Sequence, residues 1–188
     1  MPEDCDSSSS IEASESASTV PRWLTVDIVA EAGDWSAFDP VENHVGAAAD
    51  ALAGHAKFTG YTTSEACVAL SDDAGVRELN STYRGIDKPT NVLSFPSGEG
   101  PRDGVIALGD IVLAAATLAR EAAEQGTPPH QHLQHLVVHG LLHLLGFDHE
   151  TEEEAGEMEI LETEILASLN IANPYTEPPL SKAQQDLE

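Results

Sequence analysis

The sequence holds only two cysteines, Cys5 and Cys67. Cys5 lies in a polar stretch and Cys67 in an apolar run, so a disulfide framework and a four-cysteine zinc site are both excluded. Cys67 reads as a small buried core residue of a strand. Basic residues are also scarce: 8 Lys and Arg stand against 33 Asp and Glu, a formal net charge of −25. A field of that sign excludes a protein that coats nucleic acid by bulk electrostatics, so no DNA partner is expected. It equally opposes binding to an anionic membrane surface. An anionic substrate must then be met by a local basic patch or a bound cation. No apolar run reaches the ~18 residues of a membrane span. The opening MPEDCDSSSSIEASESAS has neither the basic nor the apolar region of a secretory signal, and a cytoplasmic location is the expectation.

What is present fits one globular domain with tails: 188 residues, 41% hydrophobic and 22% charged. Residues 1–21 are acidic and Ser-rich and read as a disordered tail; 173–188 are Pro-rich and polar and read as a flexible one. The domain is residues 22–172, with no internal repeat. Strands are expected at Trp23–Val29, Ala66–Leu70, Val92–Phe95 and Val105–Leu113. Asp39 as N-cap, Pro40 at the first helical position and Glu42 at the third predict a helix running to about His55. Ser71 or Asp72 caps a second helix to about Tyr83, and a third runs from about Ala114 to Gln125, where Gly126 stops it. Thr127-Pro128 caps a fourth that reaches Leu145. Thr151 and Glu154 form a capping box for a fifth, ending near Leu169, whose many glutamates read as a solvated face.

The fourth helix stands apart. From Gln125 to Phe147 there is no Asp, Glu, Lys or Arg, and leucines and valines cover nearly its whole circumference, the pattern of a buried helix. Six of the 8 histidines lie between residues 130 and 149. His139 and His143, four residues apart, are about 40° apart on the helix circle and one turn above each other. The chain breaks at Gly146 and returns through Phe147 and Asp148 to His149. Three neutral imidazoles so placed can hold one Zn²⁺ or another divalent ion and leave a position open for catalysis. His135 lies on the same face and reads as a supporting or structural residue, His130 and His132 as solvated, His44 and His55 as structural. Asp110, inside an apolar strand, is expected to be a partner for a ligand histidine, and Asp148 to orient a ligand or the bound water; either is a candidate general base.

The metzincin protease pattern H-E-x-x-H-x-x-G-x-x-H matches HGLLHLLGFDH at all three histidines and the glycine, but Gly140 replaces the glutamate base. Peptide hydrolysis by that route loses its base, whereas RNA brings a nucleophile of its own in the 2′-OH. Arg77, Arg84, Lys88 and Arg102 fall in one segment opposed only by Glu78, Asp87 and Glu99. An Arg fork there suits a phosphate; a salt bridge to a nearby carboxylate is the competing use. Tyr83 suits base stacking or a helix-end packing role.

LNSTYRGIDKPTNVLSFP at 79–96, LGDI at 108–111 and HGLLHLLGFDH together closely resemble the YbeY family of bacterial metal-dependent endoribonucleases, over about residues 22–170. The resemblance implies an α+β, zincin-like fold: a small mixed four-stranded sheet packed with about five helices, the central buried helix carrying the metal. It implies a single-strand-specific endoribonuclease acting in ribosomal RNA maturation and ribosome quality control, with ribosomal RNA, the ribosome or a ribosome-associated protein as partner. It places the metal on His139, His143 and His149 and a functional arginine at Arg84. Bare RNA is expected to be a poor ligand for so acidic a chain. Two other readings compete: a zincin-like metalloprotease without its glutamate, and a non-catalytic ribosome-assembly factor whose structural metal takes His135 or Asp148 as fourth ligand.

Overall fold

β-Branched and apolar residues in extended runs form four strands, β1 (Leu24–Ala30), β2 (Ser64–Ser71), β3 (Val92–Pro96) and β4 (Ile106–Ala114). The computed structural model describes residues 23–175; the disordered reading of 1–21, and that of the C-terminal tail beyond Tyr175, lie outside the described residues. Five α-helices join the strands among those residues: α1 (Val41–Ala53), α2 (Asp73–Arg84), α3 (Ala115–Gln125), α4 (Pro129–Leu144) and α5 (Glu152–Ser168). The sheet order is β1-β2-β4-β3. β1, β2 and β4 run parallel, and β3 pairs antiparallel on the far edge. This is the mixed four-stranded α+β arrangement the resemblance implies. None of these helices is long and apolar enough to cross a membrane.

The two sheet faces bury different helices, and residue parity decides which. Val68 and Leu70 of β2 and Ile111 and Leu113 of β4 join the larger core with Val45 of α1, Val137 and Leu141 of α4 and Ile165 of α5. Ala69, Leu93 and Val112 face the other way and pack on Val76 of α2. Each fully buried Leu, Ile or Val adds roughly 1.5–3 kcal/mol over an exposed one, so the larger core dominates and α4 lies at its centre.

Local signals set the ends of most elements. Asp72 caps α2 by accepting from the Gly75 N–H at 2.8 Å, and Gly85 closes it in the left-handed conformation. The capping box of α5 forms as expected, Thr151 Oγ1 accepting from Glu154 N–H and Glu154 Oε2 from Thr151 N–H. Two expected caps do not form. Asp39 is extended, as a residue before proline prefers, and closes the short 3-10 turn Ser36–Phe38; Pro40 takes the N-cap position of α1. Thr127 donates its N–H to Ala122 O at 2.9 Å and so finishes α3, while Pro128 precedes α4. In β4 the register shifts opposite Glu65 and Ala66, and Gly109 beside the shift has φ +130°.

His132 is not solvated but only 4% exposed, at the α3–α4 junction. Its Nε2 lies 3.0 Å from Glu121 Oε2, which also accepts from Asn91 Nδ2 at 3.0 Å. Burial pushes the His132 imidazole below its ordinary value of 6.5, only partly opposed by Glu121. The unfolded chain therefore takes up this proton more readily than the folded one. The stabilisation is complete above pH 6.5 and is lost as pH falls below it. Urea unfolding should show stability falling from about pH 7 to about pH 5, with a shallower slope in His132→Gln; an unchanged slope in the variant refutes this assignment.

Candidate metal centre

Buried on almost every side, α4 leaves its imidazoles one narrow stripe, on the side turned toward α5 and the loop beyond Leu145. His139 and His143 are half-buried on that stripe, with Nε2 atoms 3.1 Å apart. Gly146, at φ +90°, turns the chain back, and exposed His149 brings its ring to 5.0 Å from that of His143 and 5.8 Å from that of His139. One nitrogen from each of the three lies within 4.8 Å of the others. A tetrahedral zinc with Zn–N bonds of about 2.0–2.1 Å separates its nitrogens by about 3.3 Å, close to the spacing seen on the helix. The residues present fit a divalent ion. Burial first, then the neighbouring His139 and His149, lowers the His143 pKa against the opposing pull of Asp148, so the ring favours the neutral form that ligates metal.

Behind His139 lies a carboxylate that the sequence reading assigned to a solvated face. Glu162 of α5 is 0% exposed. Its Oε1 lies 2.6 Å from His139 Nδ1 and its Oε2 3.3 Å from His135 Nε2, and the Tyr175 hydroxyl donates to Oε2. Burial pushes this carboxyl up, but hydrogen bonds from His135 and His139, the charge His139 bears whenever it is protonated, and the Tyr175 hydroxyl outweigh it and bring it down to about 2. His135 is thereby turned to Glu162. Tyr175, inside the segment expected to be a loose tail, is tied back onto α5.

The other expected site residues divide. Asp148 is close: its Oδ1 accepts from the His149 N–H at 2.8 Å and lies 4.0 Å from His143 Nδ1. Asp110 is not at the histidines. It neighbours Ile111, which faces α4, and so points to the opposite face of the sheet, where it is exposed and lines a groove of about 920 Å³ with Cys67, Tyr83 and Phe95. The reading of Asp110 as a partner for a ligand histidine is corrected by this parity. Cys67 is half-buried in the same groove, and burial, then Asp110, Asp27 and Glu31, raise its thiol pKa. The basic segment is largely internally paired: Arg77 forks onto Asp87 at 2.7 and 2.9 Å, and Arg102 meets Glu99 at 3.1 Å. Arg84, exposed at the end of α2, has no hydrogen-bond or ion-pair partner among the described residues. Tyr83 beside it is 68% exposed and packs edge-on against Phe95 at 5.0 Å.

Gly140 decides what the motif cannot do. A Cβ there would stand 2.9, 3.0 and 3.1 Å from three side-chain carbons of Ile111. The position that carries the base in metzincins faces the sheet here and is filled by β4.

A buried helix presenting two imidazoles, completed by a third from beyond a glycine turn, is the outline of a metal-dependent hydrolase on an α+β domain. The sequence profile of the endoribonuclease YbeY family matches residues 35–170. The chain belongs to that family. It is 46% identical to endoribonuclease YbeY of Nitrobacter hamburgensis over 160 residues, 82% of this chain and 84% of that one. With endoribonuclease YbeY of a Bradyrhizobium species it shares 57% identity over 119 residues, 61% of this chain and 70% of the relative. A solution structure of a Thermotoga maritima protein overlaps 84% of this chain and 99% of its own at 22% identity, with a TM-score of 0.45.

Proposed function

We propose that this chain is a single-strand-specific endoribonuclease of ribosomal RNA maturation and ribosome quality control. It works in the cytoplasm with one divalent ion, Zn²⁺ by preference, held by His139, His143 and His149. The convergence of three imidazole nitrogens within 4.8 Å carries the reading, together with membership of an endoribonuclease family. A divalent ion there supplies Lewis acidity toward a phosphate oxygen or water. The protein's own residues do the rest. Asp148 orients the loop that bears His149 by accepting its N–H. Arg84, with no carboxylate engaging it among the described residues, offers a free guanidinium fork to a phosphodiester, where its charge acts most on the transition state. The net charge of −25 favours a substrate delivered by the ribosome or a protein on it over capture of bare RNA.

The competing readings fare worse on particular contacts. A zincin protease needs a carboxylate where Gly140 abuts Ile111. A closed structural metal needs a fourth protein ligand, and among the described residues neither His135 nor Asp148 joins the three histidine nitrogens that lie within 4.8 Å of one another. Arg84→Glu separates catalysis from folding, because the Arg84 side chain makes no hydrogen bond or ion pair among the described residues. Cleavage of single-stranded RNA is expected to fall about 10²–10³-fold, with metal content and melting temperature unchanged. Cleavage at the wild-type rate removes Arg84 from the site.

A further inference from the structure

Glu162 has 0% exposure, in a helix whose other glutamates face water. A buried charge persists only where donors satisfy it, and three meet here: His139 Nδ1 at 2.6 Å, His135 Nε2 at 3.3 Å and the Tyr175 hydroxyl. The carboxylate can only accept. Donation to it requires the His139 proton on Nδ1, which leaves Nε2, 3.1 Å from His143 Nε2, without one. A neutral imidazole has one donor and one acceptor nitrogen, so the hydrogen bond behind the ring fixes what the front of the ring can do.

We propose that Glu162 is the positioning residue of the metal centre, locking His139 in the Nδ1–H form with Nε2 presented to the ion. His135 and Tyr175 anchor the carboxylate: with both its oxygens engaged it cannot swing away from His139. The anchored charge also makes His139 a stronger donor and offsets part of the charge of a divalent cation. Tyr175 extends this support beyond the end of α5, so the described residues that follow Ser168, as far as Tyr175, tie onto the centre. The assignment rests on the metal reading above and adds to it a residue that touches neither ion nor substrate.

The test is a Zn²⁺ titration of the full chain against a chromophoric chelator, with the visible spectrum of the Co²⁺-loaded protein as a second readout. Glu162→Gln keeps the shape and removes the charge. It is expected to bind Zn²⁺ about 10–100-fold more weakly and to shift the Co²⁺ bands, which loss of remote packing would not do. Nitrogen-15 NMR of the zinc-free wild type reads the tautomer directly, whether or not the variant folds; His139 protonated on Nδ1 is expected. A folded Glu162→Gln with unchanged affinity and spectrum, or His139 protonated on Nε2, overturns the assignment. If the wild type itself takes up neither Zn²⁺ nor Co²⁺, the metal reading falls and this assignment falls with it.

Discussion

His143→Ala is expected to abolish divalent-ion binding and RNA cleavage together while leaving the domain folded. The side chain supplies one of the three convergent nitrogens, 3.1 Å from its nearest partner. Even residues that only support ligands typically contribute 10–100-fold to metal affinity, so loss of a ligand exceeds about 100-fold. The structural consequence is smaller. His143 is 22% exposed at its side chain, and α4 is held by Leu133, Val137, Leu141 and Leu142, none of which the change touches. Circular dichroism and melting of the metal-free variant should match those of the metal-free wild type. Added Zn²⁺ should raise the wild-type melting temperature by mass action and leave that of the variant unmoved. A variant that retains stoichiometric metal, or cleaves RNA at the wild-type rate, removes the three-histidine centre from the mechanism.

The second large effect is on stability. Gly109→Ala is expected to destabilise the domain by about 3–5 kcal/mol, a large share of the 5–15 kcal/mol typical of a whole domain. Gly109 sits at φ +130°, a backbone conformation that L side chains rarely adopt. Its partner strand is also too close. An added Cβ would meet Ser97 N at 2.8 Å, Pro96 Cα at 2.9 Å and the Phe95 carbonyl oxygen. These are backbone atoms of β3 and its exit, held by the Ser97 N–H bond to Leu108 O at 2.9 Å, and no rotamer change relieves the overlap. The edge strand must separate or β4 must shift its register. Urea unfolding reads the loss, and a change under about 1 kcal/mol contradicts the strain argument.

How far the sequence could be read follows from where its signals are local. Thr151 and Glu154 name their helix end, because a capping box is complete within four residues. Helix α4 announced its burial by having no charged residue over its length. Asp110 was misplaced because the sheet was apolar on both sides in sequence; alternation separates it from Ile111 but does not say which face the metal helix covers. His132 was misread because its partner, Glu121, is on another helix. Glu162 was hidden among the other glutamates of α5, yet it carried a signal: Met158, Glu162 and Leu166 repeat every four residues, and both apolar members are buried. A carboxylate on an apolar stripe is one that a partner must satisfy.

The contact of Gly140 with Ile111 has a consequence for how the imidazoles keep their aim. Turning α4 by one residue is a rotation of about 100°, and it would drive a leucine or a histidine into the space the glycine leaves for the isoleucine. The helix is thus keyed to the sheet like a shaft seated in a slot. The azimuth of His139 and His143 is an inheritance from β4.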